Sequence, residues 1–426
     1  MKTSKKNNRI QGWIIFLLVA LFYFYQMILQ VSPNVIGADL INQFSVSEHR
    51  LGLLTSAFFF TYMIMQIPVG ILLDRWGAHR MLSFASLFCA IGALLFSIAP
   101  YFFMASISRL FMGMGAAFAY LGGLKLISNW FPKQRFTVMM SLLITVGMFG
   151  GVIGEAPLAR LVVYVGWRES IFFLGLVGLG IFLLVYFFIK EAPSSNKKTE
   201  LKPYVFGKEG WSIFHNRQLW LISFYVSINS IFPLILTSLY GIPFLIDKFG
   251  ISEPNAARMI SYIFIGFMIG SPCWGWLSDY FKLRLPPMWV TAVVSPLILI
   301  IFIKFSFPIY IGEVLLFVLG FCFFAYVTAF SIVREINKPQ YAGTALGVLN
   351  MFDDLGIAIV LPLFGRFLDM FGQEVPHHQT HFDGMLNYDH VFSLLLCIMV
   401  VPLILLFFIK ETYAQEKFSE ELLIEK

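Results

Sequence analysis

Along the whole 426-residue chain, long apolar runs alternate with short breaks that are polar, basic or marked by Gly and Pro. A bilayer core takes about 20 apolar residues per helix. Twelve runs come close to that length, at 13–35, 51–73, 80–99, 102–128, 137–161, 168–189, 219–240, 256–278, 286–306, 309–333, 342–367 and 390–409. None shows the period-2 alternation of a membrane barrel, so the pattern predicts twelve spanning helices. The first run follows "MKTSKKNNRIQG". It is too long for the apolar core of a signal peptide, and no small-x-small cleavage site closes it, so it reads as a retained first helix.

Composition supports the membrane reading. The chain is 58% hydrophobic and only 13% charged, too little charge to cover a water-soluble surface of this size. Its 48 Phe and nine Trp suit lipid-facing and interfacial positions. The basic residues then set an orientation. With the N-terminus in the cytoplasm, inner segments carry 21 Lys and Arg and outer segments carry seven. The positive-inside bias therefore places both termini in the cytoplasm, in a cell inner membrane. The net charge of +6 reports that topology rather than nucleic-acid binding. The four cysteines (Cys89, Cys273, Cys322, Cys397) fall inside spans at unrelated spacings. They form neither a metal motif nor a disulfide framework.

The stretch "KEAPSSNKKTELKPYVFGKEGWSIFHNR" interrupts the pattern between the sixth and seventh spans. It divides the chain into a cytoplasmic N-terminus (1–12), a six-helix bundle (13–189), a cytoplasmic linker (190–218), a second six-helix bundle (219–409) and a cytoplasmic tail (410–426). The halves match each other. At a constant shift of 205, Phe44 falls on Phe249, Glu48 on Glu253, Gly70 on Gly275, Asp74 on Asp279, Gly151 on Gly356 and Pro157 on Pro362. "FFIKE" at 187–191 recurs at 407–411. Charged, Gly and Pro matches at one shift mark a repeat. The predicted fold class is all-α integral membrane: twelve transmembrane helices in two six-helix bundles related as parallel repeats, with a site between them near the midplane.

The clearest motif is "GILLDRWGAHR", joining spans 2 and 3, with Gly70, Asp74, Arg75, Gly77 and Arg80. A weaker copy, "GWLSDYFKLR", carries Gly275 and Asp279 in the second half. The pair resembles the G-x-L-x-D-R-x-G-R-[RK] cytoplasmic motif of the major facilitator superfamily. "SRLFMGMG", with Arg109, Gly113 and Gly115, is similar to that family's span-4 element. "GMFGGVIGEAP" in span 5 matches its antiporter motif only in part, lacking the central Gly-Pro pair. "NWFPKQR" with a later "GWR" is more similar to the family's organic anion/cation symporters, and a distant kinship to the lysosomal dipeptide-transporter branch is compatible with these motifs. The resemblance implies a solute carrier working by alternating access, with the "DRWGAHR" loop helping to hold the outward-open state through helix capping or pairing with the opposite half.

Asp353 and Asp354 sit in the middle of the apolar run "GVLNMFDDLGIAIVLPLFG". A charge at the centre of a membrane helix costs about 2.5–3.5 kcal/mol on insertion scales, and two adjacent carboxylates resist ionising together. They are the proton-coupling candidates; pairing with a buried base or capping an unwound helix is the structural alternative, and direct binding of a substrate cation or amine is the third reading. Asn350 lies three and four residues earlier, on the same side of the helix. Arg109, about 10 Å into span 4, offers a bidentate fork to an anionic or zwitterionic solute, or else a packing role within its own half. Span 1 carries a polar seam of Tyr23, Gln26 and Gln30, and its repeat equivalent, span 7, carries Tyr225 and Asn229 ahead of Pro233. These are cavity candidates, with interhelical hydrogen bonds as the alternative.

Glu155 and Arg160, near the outer end of span 5, read as a surface pair, with an outer gate as the second option. The loop "HHQTHFDG" at 377–384 is a weak copper or zinc candidate, and no metal site is assigned. No nucleotide-binding loop or embedded catalytic constellation is present. No enzyme activity and no cofactor is therefore expected, with a proton or other ion gradient as the energy source. The partners are a small-molecule solute and the lipid bilayer, and a monomer is expected. Proton-coupled uptake of an organic anion, amino acid or peptide-like solute leads. Efflux of a metabolite, siderophore or drug, and a transporter-derived sensor, are the alternatives.

Overall fold

The computed structural model describes residues 2–131, 136–189, 210–337, 342–372 and 382–415. The His-containing loop lies largely outside them. Fourteen α-helices occur in these segments: α1 (Lys2–Phe44), α2 (Glu48–Trp76), α3 (Ala78–Ser97), α4 (Phe102–Trp130), α5 (Phe136–Val165), α6 (Trp167–Phe188), α7 (Arg217–Ile235), α8 (Gly241–Phe249), α9 (Glu253–Phe281), α10 (Leu285–Lys304), α11 (Ile309–Phe323), α12 (Val327–Glu335), α13 (Ala342–Gly372) and α14 (Phe382–Leu406). Among the described residues, eleven runs are long and apolar enough to cross a membrane, and no strand occurs. With the 29-residue α2 they make the twelve-helix arrangement that the apolar runs predict.

Two predicted spans are interrupted helices. The seventh continues from α7 through a π-helical turn, Leu236–Tyr240, into α8. Pro233, in the last turn of α7, removes one backbone donor and prepares that widening. The tenth runs from α11 through a 3-10 turn, Phe324–Tyr326, into α12. Non-helical backbone at membrane depth is tolerated where protein or a cavity satisfies it.

Local signals fix the ends. Ser47 and Asn216 are side-chain N-caps of α2 and α7, and Pro occupies the first turns of α9 and α10, where its missing N–H costs nothing. Gly77 alone joins α2 to α3 at φ 84°, a conformation open to glycine at no steric cost. That explains the glycine in the "DRWGAHR" motif.

The α1 start and the α4–α5 loop share one face, since Trp13 and Phe131 pack edge to face at 5.6 Å. The chain end shares a face with the α9–α10 loop, where Glu411 accepts from the backbone N–H groups of Arg284 and Leu285. This is the termini side; the opposite face is the far side.

Candidate functional site

The two bundles meet along α2–α13, α5–α9 and the contact of α1 with the π-turn. On the far side this seam is shut. The Asp369 carboxylate at the end of α13 accepts from Glu48 N at 2.9 Å and His49 N at 3.0 Å, so one bundle caps a helix start of the other. His49 Nδ1 lies 2.8 Å from the Pro362 carbonyl. The Tyr240 hydroxyl lies 3.2 Å from Glu48 O and 3.4 Å from Leu361 O. At Gly52 an added Cβ would stand 2.6 Å from Leu361 O, so only glycine permits this approach. Glu48 lies just outside the predicted second span. Burial pushes its carboxyl up to about 7, and the nearby Asp369 and Asp247 carboxylates add to the rise.

Toward the termini side the helices part. Gly70 in α2, Gly275 in α9 and Gly347 in α13 have open space where a Cβ would stand. The clearest network on this side ties the second bundle to itself. The Arg284 guanidinium donates to Glu335 at 2.8 Å and Asp279 at 2.6 Å, and Thr412 Oγ1 donates to Glu335. Burial works against the Arg284 charge, but the hydrogen bonds to Glu335 and Asp279 outweigh it and hold the guanidinium above its ordinary range. Asp279, the motif aspartate of the second half, is thus paired within its own loop rather than with the opposite half. In the first-half copy Arg75 and Arg80 are exposed, and the Asp74 side chain lies outside what the structure describes.

Between the shut seam and the open side lies a polar cluster drawn from both bundles. Tyr326, in the 3-10 break, donates to Asp353 Oδ2 at 3.2 Å. Asp354 is within electrostatic reach of Tyr23 and Tyr62 from the other bundle. Tyr23 packs against Tyr120 at 5.7 Å, with Gly147 of α5 leaving room for its ring. Gln26 donates to Gln30 at 2.8 Å, and Gln26 Oε1 has no partner. Asn350 is half-buried one turn before the aspartates.

The other candidates sit elsewhere. Tyr225 donates to Met288 O at 2.7 Å and Asn229 to Thr291 Oγ1 at 3.1 Å, both fully enclosed between α7 and α10. They form interhelical packing bonds, not a shared cavity wall. Arg109 is 1% exposed. Its Nη1 donates to Leu29 O at 2.8 Å and its guanidinium stands 4.8 Å over the Phe58 ring, while Nε and Nη2 have no partner.

Glu155 corrects the surface-pair expectation. It is fully buried, bonded to Asn34 Nδ2 at 3.1 Å and 3.3 Å, whereas Arg160 is exposed. Sequence reasoning missed Tyr62, Tyr120, Tyr326 and Asn34. Asn34 was within reach, because it stands four residues beyond Gln30 and continues the polar seam of α1.

Twelve helices in two repeat bundles, shut at one end and parted at the other around a shared polar cluster, define a two-bundle membrane carrier. The chain belongs to the Major Facilitator Superfamily, whose profile matches residues 13–361 and again 235–422. It is 25% identical over 276 residues to the uncharacterized transporter YybO of Bacillus subtilis, covering 59% of this chain and 61% of that one. It is 27% identical over 180 residues to a probable sulfoacetate transporter of Cupriavidus necator, covering 42% of each. These two alignments span less than two thirds of the relatives' length. A probable galactarate/D-glucarate transporter of Escherichia coli is 22% identical over 404 residues, 84% of this chain and 87% of that one. Among solved structures, a bacterial homologue of the human lysosomal transporter Spinster, in an inward-facing and occupied conformation, superposes with a TM-score of 0.75. It is 18% identical and covers 93% of this chain and 96% of that one. The fold is that of carriers, not enzymes.

Proposed function

We propose that the chain is a proton-coupled uptake carrier for a small organic anion, with its termini side in the cytoplasm of a cell inner membrane. The observation that carries the reading is the pair Asp353 and Asp354. One carboxyl is held by Tyr326 of its own bundle, and the other faces Tyr23 and Tyr62 of the opposite bundle. A proton bound there alters the charge at a point where polar groups of both bundles gather, which is what coupling to alternating access requires. Anionic solutes are supported by the two unspent donors of Arg109 and by the names of relatives that handle sulfoacetate and galactarate/D-glucarate. Phe58 covers Arg109 in this state, so solute contact with it belongs to a state in which α2 has moved.

The test is transport into proteoliposomes of a panel of sulfonates, aldarates, hexuronates, amino acids and dipeptides, with and without an inward proton gradient. Gradient-dependent accumulation of at least one organic acid is expected. Asp354→Asn should keep exchange of that solute across the membrane while losing gradient-driven accumulation. Gradient-independent accumulation in the wild type, or gradient-driven accumulation in both Asp353→Asn and Asp354→Asn, would overturn the reading.

A further inference from the structure

The far-side seam contains a buried acid that the central cluster does not use. Glu155, on α5, is 0% exposed. Its described donor is Asn34 of α1, whose Nδ2 lies 3.1 Å and 3.3 Å from the two carboxyl oxygens. The same amide crosses to the other bundle. Asn34 Nδ2 also donates to Leu236 O at 3.0 Å, and Asn34 Oδ1 accepts from Ile242 N at 3.2 Å. These two partners bracket the π-turn, where widening of the helix leaves backbone groups in need of bonds. One side chain therefore joins the acid of the first bundle to the break in the second.

Among the described residues no ion pair to Glu155 occurs; Arg109, the buried cation of neighbouring α4, gives Nη1 to Leu29 O and stands over the Phe58 ring. On α1 the titratable groups on either side of Asn34 are Tyr25 and Asp39. On α5 itself, Arg160 is exposed. Facing α9 contributes Arg258, which pairs with Glu313 at 3.0 Å, and Tyr262, and Phe264 fills the level of Gly151 one turn away. The π-turn contributes Tyr240, held against Glu48 O and Leu361 O, with Asp247 on α8 beyond it. On α6, Arg168 is bonded to Ser97 O and Ala99 O, beside Glu169. A carboxylate buried with one amide and no ion pair is costly, and the neutral acid removes that cost. Parting the bundles on the far side would break the Asn34 bridge and admit water to Glu155.

We propose that Glu155 is a second proton-binding site, loaded from the far side when the seam opens and holding its proton while the Asn34 bridge is closed. The proposal rests on the carrier reading above only for its purpose in transport; the site is tested without any solute. The probe is the full chain in lipid nanodiscs carrying Glu48→Gln, so that the acid at the seam mouth does not contribute. Hydrogen exchange at residues 236–249 is compared, pH by pH, with and without Glu155→Gln. The parent should lose protection as pH rises while the Gln variant stays protected, exchanging about tenfold more slowly at the alkaline end, within the usual range of coupling between linked sites. Infrared difference spectra should show a protonated-carboxyl band that Glu155→Gln removes. Asn34→Ala should keep that band and lose the pH dependence of exchange. Identical pH profiles in parent and Gln variant, or carboxyl bands left unchanged by Glu155→Gln, would overturn the proposal.

Discussion

The two ends of the bundle interface are built by different means. The far side is closed by contacts that cross from one bundle to the other: the Asp369 cap on α2, the Tyr240 hydroxyl, and the backbone approach at Gly52. On the termini side, the Arg284–Glu335–Thr412 network binds the second bundle to itself. On the carrier reading proposed above, cross-bundle bonds must be breakable, because each is given up once per cycle, and a permanent ion pair belongs inside one rigid body.

The largest effect tests the permanent side. Arg284→Ala leaves Glu335 buried without its cation, which costs about 3–5 kcal/mol. Thermal unfolding of the purified protein should shift accordingly, while spin-label distances across the far side stay as in the wild type. A change in those distances would erase the distinction between the two ends. Next comes Gly52→Leu. Its side chain meets the α13 backbone, and overpacking of this kind costs about 3 kcal/mol. Spin labels on the α1–α2 and α8–α9 loops should report a far side held open, with transport lost and folding intact.

Asp369→Ala is a milder version of the same break. Losing the cap on two backbone N–H groups of α2 should weaken closure by about 1 kcal/mol, read as a several-fold rise in the open population. The pH dependence of closure sharpens the comparison further. Glu48 titrates at about 7 in the closed seam against an ordinary 4.5, so closing takes up a proton between those values. Its contribution to closure is full below about 4.5 and is lost as pH rises through 7. Glu48→Gln should flatten the distance-against-pH curve across that window. The smallest effect is on the open side: Gly347→Ala meets empty space and should change stability by less than about 0.5 kcal/mol.

Much of this was legible in the residue order. Twelve apolar runs, the 205-residue shift and the "DRWGAHR" loop carried the fold and the family. Asp353 and Asp354 stood out because ionisable groups are rare in apolar runs. The roles of the remaining polar residues were not legible. Tyr23 and Tyr225 lie on spans that correspond in the repeat, yet one faces the shared cluster and the other donates to Met288 O deep between α7 and α10. Glu155 looked like a surface partner of Arg160, and its burial depends on how close α1 and the π-turn come to α5.

Hydrophobic length, charge bias and repeat spacing are one-dimensional properties, so the sequence by itself determined the number of spans, the two-bundle division, the orientation expected of the termini and the presence of costly buried acids. Which side chain meets which depends on helix rotation, on breaks such as Leu236–Tyr240, and on which end of the interface is shut. Those are settled only when the bundles pack, because a polar group's partner is whatever the approaching helix presents at that depth. Tertiary structure therefore decided that Asn34 bridges the halves, that Asp369 caps α2, and that Tyr225 and Asn229 are spent on packing.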